Sequence, residues 1–184
     1  HIREVDAVAY VLRCFEDGDV THVEGSVDPI RDAETVETEL MLADLDSLEK
    51  RLVAAQKKAK GGDKESIALI ALMEPIAAAL RDGKPARTAI PADQAEAARR
   101  LQLLTSKPVL YVCNVEEASA ASGNAHSERV ADRAAVEGAR VVIVSAAIEA
   151  EVSQLPPEER GEFLDGLGLH DSGLDRVIRA GYDL

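Results

Sequence analysis

The sequence predicts an α/β fold on a mostly parallel sheet, with an antiparallel helical hairpin inserted between two strands. Residues 109–113, Val-Leu-Tyr-Val-Cys, are apolar in succession. That marks a strand covered by helices on both faces, since a half-exposed strand alternates. A second apolar run, 139–144, follows an intervening helical pattern, as a parallel β-α-β connection requires. From Thr35 the period changes: Met41, Leu45, Leu48, Leu52, Ala55 and Ala59 repeat at alternating four- and three-residue spacing, the heptad seam of a packed helix pair.

With 184 residues, 46% of them hydrophobic, the chain suits one α/β domain plus an appendage. A net charge of −13 opposes a general grip on nucleic acid, because phosphate affinity comes from Lys and Arg. Aromatic residues make up 3% with no Trp, so base-stacking platforms are not expected. No apolar stretch approaches a membrane span and no signal-like start is present. The expectation is a cytoplasmic protein with no membrane partner. Cys14 and Cys113 have no metal-ligand spacing and are expected to be reduced core thiols.

Taken in order, residues 5–13 (VDAVAYVLR) predict a first strand dense enough for burial on both faces. Turn signals follow at Asp17-Gly18 and Asp28-Pro29. The first long helix is expected from Thr35, capped by Asp32 or Thr35. Gly61-Gly62-Asp63 breaks it, and Leu69, Met73, Ile76 and Leu80 carry a second helix back. Pro75 inside that helix predicts a kink. Asp82-Gly83-Lys84-Pro85 ends the hairpin, and Ala95, Ala98, Leu101 and Leu104 predict a third helix leading into the strand at 109. Residues 36–104 therefore read as an insertion into a domain made of 1–35 and 105–184. Further helices are expected near 127–137, 148–154, 157–167 and 173–182.

Ligands of open α/β sheets sit off the carboxyl ends of strands, which is where Asn114 and Glu117 fall. The same Asn-x-x-Glu also suits a plain strand-to-loop turn, so its context matters. Strand-Asn-x-x-Glu, helix, strand-Ser145-Ala146-Ala147 is the order of base-recognition loops in GTPase-type P-loop proteins. There the pattern is Asn-Lys-x-Asp, whose carboxylate accepts from two adjacent donors on guanine. Here Val115 replaces the Lys and Glu117 the Asp. The longer carboxylate is displaced by a methylene, and adenine offers one donor beside one acceptor, which a carboxylate cannot match twice. Strict guanine selectivity is not expected.

At this point the chain resembles the Obg-like ATPases of the YchF family, TRAFAC-class P-loop NTPases. The resemblance rests on VLRCFEDGDVTHVEGSVDPIRDAETVETELMLADL (11–45), KKAKGGDKE (57–65), LTSKPVLYVCNVEE (104–117), SAAIEAE (145–151) and SGLDRVIRAGYDL (172–184). It implies a ribosome-associated NTPase that hydrolyses ATP or GTP with Mg2+ and carries a coiled-coil insertion. It also implies a fragment, with the P-loop expected before His1 and a TGS domain after Leu184. His22 matches the family position that activates the attacking water, and a neutral imidazole can accept a proton near pH 7. Phe15 matches a position packing on the base, beside Asn114, Val115, Glu117 and the Ser145, Ala146, Ala147 loop.

Lys57, Lys58, Lys60 and Lys64 crowd the hairpin turn. They read either as a ribosome or RNA contact or as lysines that solubilise a helix end and favour its dipole. No G-x-x-x-x-G-K-[ST] occurs in the 184 residues, so this piece is expected to hold base recognition and the arm, without hydrolysing nucleotide alone. The competing reading is a non-enzymatic adaptor that displays the hairpin.

Overall fold

The computed structural model describes residues 2–16 and 26–184. They divide into a sheet unit, Ala7–Ala33 with Val109–Leu184, and a helical unit, Glu34–Pro108 with the segment ending at Asp6.

In the sheet unit, β1 (Val8–Arg13), β2 (Val109–Asn114) and β3 (Arg140–Val144) form a parallel sheet in that spatial order. The central strand is the apolar run, and its first five residues are all buried. Tyr111, fully buried, meets Tyr10 edge-on with ring centroids 5.7 Å apart and donates its hydroxyl to Glu137 at 2.7 Å. That bond lets the phenol be buried without an unpaired polar group.

The expectation that β1 is buried on both faces fails. Val8, Tyr10 and Leu12 are buried while Ala9 and Val11 are exposed, Val11 at 71%. Helices α4 (Ala125–Glu137) and α7 (Gly173–Tyr182) pack on β2 and β3. Among the described residues no helix comparably covers β1, so its apolar density does not become two-sided burial. Helices α5 (Ala146–Gln154) and α6 (Pro157–Gly166) complete the unit, close to the expected ranges.

Helix α1 (Pro29–Ala59) begins before the expected start near Thr35. Neither Asp32 nor Thr35 starts it. Asp28 Oδ1 accepts from the backbone N–H of Ile30 at 3.2 Å and Arg31 at 3.4 Å, and Pro29 enters with φ already suited to a helix. The pair read as a turn signal is a helix start.

Helix α2 (Lys64–Arg81) returns along α1, with Asp63 capping it through Ser66 N–H at 3.1 Å. The seam is buried: Leu48, Met73 and Ile76 are fully enclosed, and Met41, Leu52, Ala55, Leu72 and Leu80 join them in one core. Each large side chain removed from water contributes roughly 1.5–3 kcal/mol before conformational entropy is subtracted. Pro75 lies on the exposed face, and the helix continues through it to Arg81.

The expected third helix is only α3 (Ala95–Arg99). Gln102 takes φ 52°, and the chain then bends into a short 3-10 turn, Leu104–Ser106. Asp44, fully buried on α1, explains the interruption. Its carboxylate accepts from Leu104 N–H at 2.8 Å, Thr105 N–H at 2.7 Å, the Thr105 hydroxyl at 2.8 Å and Arg3 at 3.1 Å. Thr105 Oγ1 in turn accepts from Ala86 N–H at 3.0 Å, and Arg87 pairs with the mostly buried Glu37 at 2.5 Å. The first residues group here and not with the sheet, because Arg3 bonds Asp44 and Lys107 donates to the carbonyls of Arg3 and Val5 at 3.0 and 2.5 Å.

Candidate functional site

The carboxyl end of the sheet brings three chain segments together. The register sets Arg13 of β1 beside Asn114 of β2, and Asn114 beside Val144 of β3. Backbone bonds extend that pairing one step further, from Cys14 N–H to Asn114 C=O at 2.8 Å and from Val115 N–H to Val144 C=O at 2.8 Å. The loops after all three strands are therefore fixed at their origins.

The Asn114 side chain adds a link. Its Oδ1 accepts from the backbone N–H of Ala146 at 2.9 Å, the first residue of α5. A backbone N–H only donates, so the atom facing it is the carboxamide oxygen. This leaves Nδ2, with two N–H groups, as the side chain's other face. Strand β2's loop and the Ser145 loop are thus one structure. Ser145 is buried and Ala146 and Ala147 are exposed. They open α5, whose first amides lack partners within the helix.

Val115 is buried at 2% and fixes the loop, while Glu117 is exposed at the start of a 3-10 turn, Glu117–Ser119. Phe15 is half-buried. The Arg13 guanidinium lies over its ring, 4.9 Å from the centroid, and Arg13 Nε donates to Phe15 C=O at 3.1 Å. A cation on one face of the ring restrains its orientation. Hydrogen bonds join Asn114 to Ala146 and Val115 to Val144, which precedes Ser145. Glu117 and Ala147 lie within two residues of these in sequence, and Phe15 follows Cys14, whose N–H bonds Asn114 C=O. His22 lies outside the described residues. Lys57, Lys58, Lys60 and Lys64 are exposed around the α1–α2 turn of the helical unit.

Two contributors were not read from the sequence. Asn124 accepts from the N–H groups of His126 and Ser127 at 3.1 and 3.0 Å, capping α4. Its Nδ2 donates to Cys14 C=O at 2.6 Å and Glu116 Oε2 at 3.0 Å. One carboxamide therefore ties the loop after β1 to the loop after β2. The second is Glu116, next to Glu117. Its carboxyl is held below the usual range by the Ser119 hydroxyl, with the Asn124 amide adding to the effect. An Asn before a helix is a legible cap signal, but its reach to Cys14 is not. Cys14 and Cys113 are free thiols, both fully buried. The neighbouring Cys113 side chain and burial push the Cys14 thiol up, keeping it protonated.

The groups that suit a flat heteroaromatic ligand are the Asn114 carboxamide N–H pair, the exposed Glu117 carboxylate and the restrained Phe15 ring. Among the described residues no group of three or more His, Cys, Asp or Glu side chains could hold a metal. No described helix is long and apolar enough to cross a membrane.

No protein-family model matches the chain. Among curated proteins it is 46% identical over 185 residues to the ribosome-binding ATPase YchF of Haemophilus influenzae, covering 100% of this chain and 51% of that protein. It is 44% identical over 187 residues to the protein of that name from Bacillus subtilis, with 100% and 51% covered. The Mycoplasma genitalium relative is 34% identical over 186 residues. The chain spans about half the length of these relatives. The solved structure of the Schizosaccharomyces pombe YchF GTPase superposes with TM-score 0.83 at 30% identity, covering 98% of this chain and 50% of that one. By sequence along its whole length and by its fold, the chain is similar to the YchF proteins over about half of their length.

Proposed function

We propose that this chain supplies the base-recognition side and the helical arm of a cytoplasmic, ribosome-associated YchF-type enzyme that binds and hydrolyses ATP and accepts GTP. The observation that carries the reading is the bond from Ala146 N–H to Asn114 Oδ1. It joins the two loops that would read a base and commits the asparagine oxygen, so that Nδ2 is the atom left to face a ring acceptor.

In this reading Asn114 and Glu117 bond the base edge, Phe15 and Val115 pack its surroundings, and the Ser145, Ala146, Ala147 loop offers backbone donors. His22 orients the attacking water. Phosphates and Mg2+ would be held by a phosphate loop, a motif these 184 residues lack. The chain alone should therefore bind weakly and hydrolyse nothing. The helical insertion, 36–104, would reach the ribosome through Lys57, Lys58, Lys60 and Lys64. Four lysines correspond to at most about four phosphate contacts, a weak grip needing further surface to become specific.

The experiment uses the complete protein. Glu117→Asp should shift the ratio of GTP to ATP affinity toward GTP, and equal losses for both would remove Glu117 from base reading. His22→Ala should lower kcat with nucleotide affinity nearly unchanged, the signature of an interaction made only in the transition state. Replacing Lys57, Lys58 and Lys60 by Glu should reduce ribosome co-sedimentation and flatten its salt dependence. Unchanged pelleting at both low and high salt would assign the lysines to helix solubility alone.

A further inference from the structure

The helical unit carries a groove that the nucleotide reading does not use. It has a volume of about 790 Å³ and lies between α1, α2 and the stretch 94–101. Its floor is apolar, formed by Leu69, Leu72 and Leu101. Its walls are largely alanine, among them Ala54, Ala68 and Ala97, all exposed. Small side chains on both walls let a helix backbone approach closely, at the 8–10 Å axis separation of packed helices.

The rim has the opposite charge to the chain. Arg51, Lys58 and Arg100 line the groove against one acid, Glu65, although the 184 residues carry 34 acidic and 21 basic side chains. Arg100 is only loosely paired, 3.9 Å from Glu96 at the surface. An apolar trough edged by cations matches an apolar stripe flanked by carboxylates. RNA fits the floor poorly, since leucine and alanine give bases nothing flat to stack on and phosphates would lose water over them. The hollow lined by Val53, Lys57, Lys60 and Ile70 is separate from this groove, so Lys57 and Lys60 can be tested independently of the groove, which Lys58 borders.

We propose that this groove docks a short amphipathic helix of a protein partner, with leucine-like anchors on one face and acidic residues flanking them. In the complete protein, fluorescence anisotropy would follow a labelled peptide of about four helical turns, with leucines at heptad core positions and glutamates elsewhere. A version with lysine replacing glutamate is the control. The acidic peptide should bind saturably and the basic one should not. Arg51→Glu combined with Arg100→Glu should weaken binding about tenfold or more. Ala97→Trp, which fills the trough from an exposed position, should weaken it comparably without changing salt dependence. Lys57→Glu with Lys60→Glu should leave it unchanged.

Melting curves matching the parent protein would establish that each variant is folded. Absence of saturable binding, equal binding of the two peptides, or indifference to Ala97→Trp would overturn the proposal. Displacement of bound peptide by single-stranded RNA at equal concentration would overturn it in favour of a nucleic-acid groove.

Discussion

Asp44 in the helical unit and Asn114 in the sheet unit both fasten a return of the chain through side-chain oxygens that accept backbone N–H groups. Asp44 is fully enclosed, and its two oxygens take two backbone amides, a hydroxyl and a guanidinium. Asn114 is half-exposed, and its oxygen takes one amide. The difference follows from charge. A carboxylate can be buried only if its lone pairs are matched, because an unpaired buried ion is far costlier than an unpaired amide. A neutral carboxamide at a partly wet strand end can hold structure with one atom and keep the other for a ligand. Asp44 is thus an anchor, and Asn114 is proposed as a recognition group.

The anchor side of that comparison gives the largest effects. Asp44→Ala should destabilise the protein by about 3–5 kcal/mol in denaturant unfolding, since it strands two buried amides and removes the carboxylate that pairs with Arg3. Asp44→Asn, which keeps one acceptor oxygen, should lose less. If Asp44→Ala lost under about 1 kcal/mol, the contrast between saturated and open groups would collapse.

Asn124→Ala comes next. It removes the α4 cap and the bond to Cys14 C=O, and should cost about 1–2 kcal/mol. Faster hydrogen exchange should be confined to 124–128 and the loop after β1. Loss of protection spread over the whole sheet would mean that Asn124 supports the core and not the loops.

The smallest effect is in acid. Burial alone would raise the Asp28 carboxyl, but the Arg31 N–H, with Arg129 and the Ile30 N–H, outweighs it and leaves the group below its ordinary range. A depressed folded pKa gives stability that is present above the unfolded value, near 3.9, and lost as pH falls through the folded one. Asp28→Asn keeps a capping oxygen and should remove that part of the acid dependence. Unfolding midpoints compared at pH 6 and in the acid window would show whether the slope changes.

How much of this was legible depended on how far each contact reaches. The continuous run at 109–113 correctly marked β2, because burial on both faces leaves a local trace. The 4-3 seam marked α1 and α2 for the same reason. Strand β1 was misjudged, since which helices cover a strand is decided by residues far along the chain. The third helix was overextended because Asp44, 60 residues away from Leu104, claims the amides that helix would have used. Asn124 reaches Cys14 across 110 residues, which no local pattern encodes. At the candidate site, the strand ends at Asn114 and before Ser145 were legible because an apolar run that stops at a polar residue is a local signal. That the two loops are bonded to each other is visible only in three dimensions.

The most direct test of the contrast is titration of ATP and GTP into the complete protein carrying Asn114→Ala, with unfolding followed in parallel. Losing one half-exposed hydrogen bond should reduce stability by about 1 kcal/mol. Losing a base contact along with the bond that aligns the Ser145 loop should weaken both nucleotides about tenfold or more. Unchanged affinity for ATP and GTP in a folded Asn114→Ala protein would contradict the account, since Asn114 would then be a structural clasp like Asp44.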